Sequence, residues 1–121
     1  MTRLATRIAA VGFMLGLTSL AFAHTAATGT TPKSGSILEQ SPPSIEITFK
    51  APVRMTAVIV QQDGKPDRKL ESSPAAAAAT IKIENPKLEP GLNHVRWTAL
   101  SQDGHVVKGV IDLTIKPAAP K

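Results

Sequence analysis

Strict alternation of apolar and polar residues recurs along this chain and limits its fold more than any other feature. In Ser44–Lys50, Ile45, Ile47 and Phe49 alternate with Glu46, Thr48 and Lys50. Successive side chains of an extended strand point to opposite faces, so a period of two describes a strand with one dry side and one wet side. Thr80–Glu84 repeats the pattern through Ile81 and Ile83. The longest such run puts Asn93, Val95, Trp97 and Ala99 on one face and His94, Arg96, Thr98 and Leu100 on the other. Val106–Ile115 turns Val107, Gly109, Ile111, Leu113 and Ile115 to one side. Met55–Gln62 adds a β-rich run containing Val58, Ile59 and Val60.

Turn chemistry separates these runs. Pro32-Lys33-Ser34-Gly35-Ser36 joins a fixed φ to a permissive glycine, Asp63-Gly64 is a hairpin signal, and Leu88-Glu89-Pro90-Gly91 leads into the longest strand. Thr25–Thr31 reads as a first edge strand, and Ile37-Leu38 as an apolar pair tucked beneath the sheet. Ala51-Pro52 reads as an interruption. Pro66–Ala79 reads as a surface connection, since Pro74 and the short length count against a helix in its alanine run. Six or so short strands, spaced by about ten residues, with no amphipathic helix, predict an all-β sandwich or barrel.

The start of the chain has a different character. Arg3 and Arg7 precede an apolar stretch from Ile8 to Leu17, and Ala21-Phe22-Ala23 has the small-x-small form that signal peptidase cuts behind. Residues 1–23 are therefore expected to be a cleavable signal peptide and residues 24–121 one small domain. Its core is thin, because so short a chain buries only part of its surface. Removing Arg3 and Arg7 from 14 basic residues leaves 12 against 9 acids, a net charge of +3. That charge is mild and scattered, and the only aromatics after the cut are Phe49 and Trp97. Nucleic acid and an anionic membrane surface are not expected partners. With no cysteine, disulfides and thiolate metal sites are excluded. After Ala23 no apolar run approaches the roughly 18 residues of a membrane span. An exported, soluble, periplasmic protein is the expectation.

Candidate chemistry rests on three histidines. A cut behind Ala23 would leave His24 with a free α-amine, and that amine and the ring Nδ1 can close a six-membered chelate on one metal ion. Equally, His24 is simply the first polar residue past the cut. In Asp103-Gly104-His105, an extended backbone would turn carboxylate and imidazole to one side. Asp-Gly is also what a hairpin turn selects, with His105 solvated beside it. His94, opposite Trp97, reads as a surface residue and not a ligand. No Gly-x-Ser-x-Gly elbow or Gly-rich phosphate loop is present.

The pattern Leu88-Glu89-Pro90-Gly91, Val95-x-Trp97, Ser101-x-Asp103-Gly104-His105 and Gly109 resembles the copper-resistance CopC family. So do Pro32-x-x-Gly35, Phe49-x-x-Pro52-Val53 and a cleavage site followed at once by His24. The resemblance implies an Ig-like Greek-key β-sandwich or barrel of about seven strands. It also implies a periplasmic, monomeric carrier or buffer of one Cu(II) per mature chain, with delivery to a CopD-like membrane transporter. The ligands it implies are the amine and imidazole of His24, with Asp103 and His105. Nitrogen and carboxylate donors suit Cu(II). A Cu(I) site of methionines is not expected, because Met55 alone follows the cut and reads as packing. Asn93 stands where the family tends to have a tyrosine. Two other classes remain in play: a metal-free adhesion or scaffold module, and a copper oxidase with a histidine brace. The oxidase would need an aromatic substrate platform.

Overall fold

The computed structural model describes residues 27–117. The readings of the export signal, of the cut behind Ala23 and of His24 lie outside those residues. The described chain forms seven strands: β1 (Ala27–Thr31), β2 (Ser36–Leu38), β3 (Ser44–Gln61), β4 (Arg68–Lys69), β5 (Ala78–Glu84), β6 (Gly91–Ser101) and β7 (Val106–Ile115). Among the described residues there is no helix, so none is long and apolar enough to cross a membrane. The all-β expectation holds.

Strand β3 ties the molecule together. Its first half lies between β1 and β5, antiparallel to both. Its second half lies between β6 and β4. Beyond β6 the sheet continues through β7 to β2, which runs parallel to β7. One hydrogen-bonded sheet therefore curls over on itself, with β3 passing from one layer to the other. Ala51-Pro52 does not interrupt it, contrary to the reading above. Its register with β5 is broken between Thr48 and Val53, and the β6 ladder starts only at Val53. Pro52 falls in the gap between the two sets of neighbours, where a missing N–H costs no ladder bond.

A bulge corrects the alternation further on. Met55 pairs with Ala99 and Ala57 with Thr98, leaving Thr56 as the extra residue, its hydroxyl donating to the Thr98 carbonyl at 3.0 Å. Odd positions other than the exposed Ala51 face inward up to Met55, and even ones from Val58, so the insertion keeps Val53, Val58 and Val60 in one core.

That core joins Ile45, Ile47, Ile81 and Ile83 of one layer to Val95, Trp97, Ile111 and Leu113 of the other. Phe49 meets Trp97 edge-on, with centroids 5.2 Å apart and planes at 86°. Such a pair adds about 0.5–1.5 kcal/mol beyond its area. Met55 lies partly buried against the cluster, as read. Ile37 does not tuck under the sheet; it pairs with Thr114 on the parallel edge and is 66% exposed, while Leu38 packs on the core. In the Pro66–Ala79 connection Arg68 and Lys69 form a short strand, and Ser73 bridges Lys82. Its last two alanines open β5.

Asn93 is the one buried polar residue among the described residues. Its amide donates to the carbonyls of Glu89 at 2.9 Å and Gly91 at 3.0 Å, which holds the turn ahead of β6 against the sheet.

Candidate metal centre

Asp103 and His105 sit on the turn between β6 and β7, at one end of the curled sheet. The ladder's last rung pairs Leu100 with Val106, and the chain must reverse in the residues between. Ser101 N–H donates to the His105 carbonyl at 2.8 Å, and Gly104 N–H donates to the Ser101 carbonyl at 3.0 Å. Gly104 has φ +89°, a left-handed conformation that glycine adopts without strain. The hairpin reading of this segment is thus correct, and so is the convergence of its side chains. The cause differs: a reversal, not strand alternation, brings them together. Asp103 Oδ2 lies 2.9 Å from His105 Nδ1.

The other carboxylate oxygen is fixed as well. The Ser101 hydroxyl donates to Asp103 Oδ1, and the His105 backbone N–H approaches the same oxygen at 3.3 Å. The Ser101 hydroxyl first, then the His105 ring and backbone N–H, lower the Asp103 pKa from the usual carboxylate range to about 2. Asp103 is therefore an anion across the physiological range. Ser101 appears in the sequence pattern, but its part in orienting Asp103 follows only from the turn geometry. The two candidate donors remain open to solvent, with side chains 77% exposed for His105 and 66% for Asp103.

Asp103 also borders an open depression of about 520 Å³, lined on its other side by Phe49, Lys50, Ala51, Pro52 and Val53. Phe49 pairs with Ala27, the first described residue, and β1 runs antiparallel to β3. The start of β1 is thus directed toward Lys50 and the depression. His24 itself lies outside the described residues. Among the described residues no group of three or more His, Asp or Glu side chains is close enough to hold a metal ion.

His94 lies far from this turn, on the outer face of the sheet as read. It is not a lone surface residue, however, because its Nδ1 is 2.7 Å from Asp112 Oδ1 on the neighbouring strand. Residues 18 apart become partners only through the β6–β7 register, which no local pattern reveals.

A seven-stranded, curled all-β domain with an exposed carboxylate–imidazole pair on its last hairpin defines a recognisable class. The sequence profile of the CopC domain matches residues 27–116, and the chain belongs to the CopC family. No curated protein sequence matches it. Among solved structures it is similar to CopC from Methylosinus trichosporium OB3b, with a TM-score of 0.66 and 19% identity over 81% of this chain and 99% of that one. It is also similar to PcoC, a copper resistance protein from Escherichia coli, in its selenomethionine form. There the TM-score is 0.57 at 21% identity, over 74% of this chain and 98% of that one. A second structure of PcoC, described as methionine rich, gives 0.55 at 21% identity over 78% and 100%. At these identities the likeness is one of fold.

Proposed function

We propose that the chain is exported, cut behind Ala23, and serves in the periplasm as a carrier or buffer of one Cu(II) ion in copper resistance or homeostasis. The observation that carries this reading is the Asp103–His105 pair, whose carboxylate lines the depression toward which β1 is directed. First-row divalent ions bind imidazole nitrogen and carboxylate oxygen at about 2 Å. An ion at that distance from two atoms 2.9 Å apart subtends an angle of about 90°, the cis corner of a tetragonal Cu(II) site. Copper would take the place of the proton shared by the two groups.

The remaining two donors are the amine and ring of His24. Two residues lie between it and Ala27, and those three chain steps reach at most about 11 Å when extended. Membership of the CopC family supports the same assignment, as does the copper resistance described for PcoC. Delivery to a CopD-like membrane transporter, with the carrier acting as a monomer, belongs to the same proposal. The oxidase reading loses ground, because both described aromatics, Phe49 and Trp97, are core residues and offer no platform for a polysaccharide.

Competition titration of the processed protein against a Cu(II) chelator tests the site. Removing even an outer partner of a metal ligand costs 10–100-fold, so His105→Ala is expected to weaken binding by at least about 100-fold. It should also remove one nitrogen from the copper electron paramagnetic resonance spectrum. Unchanged affinity in that variant would overturn the assignment.

The pH dependence has a defined sign. A free amine ordinarily titrates near 7.7–8.0 and an imidazole near 6.5, and both must lose their protons to bind metal. Asp103, held at about 2, adds no proton competition above that value. Copper affinity is therefore expected to fall steeply as pH drops through about 6, from the nitrogen donors alone. An affinity constant from pH 8 to pH 4.5, measured by the same competition, would contradict the ligand set.

A further inference from the structure

The outer face of β2, β7 and β6 carries every exposed large hydrophobic side chain among the described residues. These are Ile37, Leu92, Leu100, Val106 and Val110. Cross-strand partners project to the same side, so the pairings Leu100–Val106, Arg96–Val110 and Leu92–Thr114 place them together, and Ile37 joins beside Thr114. The opposite layer is different: its outer side presents Glu46, Thr48, Thr80, Lys82 and Glu84, with Lys82 and Glu46 4.0 Å apart. Scattered single apolar residues on a surface are ordinary, but segregation of all of them to one face is not.

The same face is basic. Arg54 pairs with Leu100, Arg96 with Val110, and Lys108 with Thr98, and all three are exposed. Among the strand residues of this face the one carboxylate is Asp112, already held by His94 at 2.7 Å. The cations that look scattered in the sequence are thus interleaved by the fold with apolar side chains: Lys108 lies between Val106 and Val110 along β7, and Arg96 is opposite Val110. The end of this mixed surface, the Leu100–Val106 rung, adjoins the turn that carries Asp103 and His105.

We propose that this face is the docking surface for a partner protein whose contact patch intersperses carboxylates among apolar side chains. Charge complementarity selects that partner. A second copy of the chain would bring Arg54, Arg96 and Lys108 against their own counterparts, and like charges facing each other are repelled. Docking over the Leu100–Val106 rung places the partner beside the candidate copper turn. That the partner exchanges copper rests on the reading above; that it docks here does not.

The test uses the secreted protein in the cells that make it, with a benzophenone side chain replacing Val106 or Val110 on this face, or Lys82 on the other. Illumination is expected to give one discrete adduct from positions 106 and 110 and none from 82. The captured protein, identified by mass spectrometry and purified, should bind the wild-type chain. The double variant Arg96→Glu, Lys108→Glu should bind at least about tenfold more weakly, and raising salt from about 0.05 to 0.5 M should weaken the wild-type complex. Melting curves check that the variants are folded, and both substituted positions are exposed. His105→Ala should dock like wild type, so loss of the copper site and loss of the docking face are separable. Equal adducts from all three positions, an adduct with lipid or with a second copy, or binding indifferent to the charge reversals would overturn the proposal.

Discussion

Capping the α-amine of His24 with an acetyl group is expected to weaken Cu(II) binding by at least about 100-fold, a floor set by what loss of even an outer-shell partner costs. Acetylation removes both the charge and the donor lone pair of the amine while leaving the imidazole intact. The six-membered chelate then becomes a single imidazole contact, and the entropy saved by holding two donors on one residue is lost. Melting temperature in the absence of copper should barely move, since the cap alters no side chain of the buried cluster between Ile45 and Ile115. The same experiment begins with the intact mass of the exported protein, which must correspond to a chain starting at His24. A different first residue, or a capped protein that binds copper like the free one, would remove the amine from the site.

The layers of the fold were legible because each strand has one wet side. Ile45, Ile47 and Phe49, then Ile81 and Ile83, and the inward residues of β6 and β7 all face the core as their alternation requires. Where the reading failed, the deciding information was long-range. Pro52 looks like a breaker until β3 is seen to change neighbours at that point. Ile37 looks like a core residue until it is placed on a sheet edge, where it is 66% exposed. The thread from Thr56 to Thr98, which re-phases β3, has no local signature at all.

The candidate site divides in the same way. Asp103 and His105 could be singled out because they are two residues apart around a glycine, and any compact path between them brings carboxylate and ring together. The role of Ser101 required the turn, because its hydroxyl orients Asp103 only once the chain has reversed. The basic, apolar outer face was illegible for a stronger reason. Arg54, Arg96 and Lys108 lie on three different strands, and only the register of β3, β6 and β7 makes them neighbours.

Gly109→Ala is expected to destabilise the domain by about 2–3 kcal/mol, in the upper part of the range for overpacked cores. Gly109 pairs across the ladder with Trp97. A Cβ built on it would lie 2.5 Å from Trp97 Cζ2 and 2.7 Å from Cε2, far inside any real contact. The indole has nowhere to retreat, being 3% exposed and braced edge-on by Phe49. The cost is steric and belongs to the pair, so Trp97→Phe introduced with Gly109→Ala should restore part of the loss, giving a favourable coupling in a double-mutant cycle. For a domain of this size about 4–8 °C is lost per kcal/mol, so the melting temperature should fall by about 10–20 °C. The rung lies three residue pairs from the Leu100–Val106 end of the ladder, and below its transition the variant should bind Cu(II) like the parent. A Gly109→Ala protein as stable as the parent would mean that the indole does not lie over this glycine. One that is folded yet copper-deficient would mean that the turn depends on Trp97 packing.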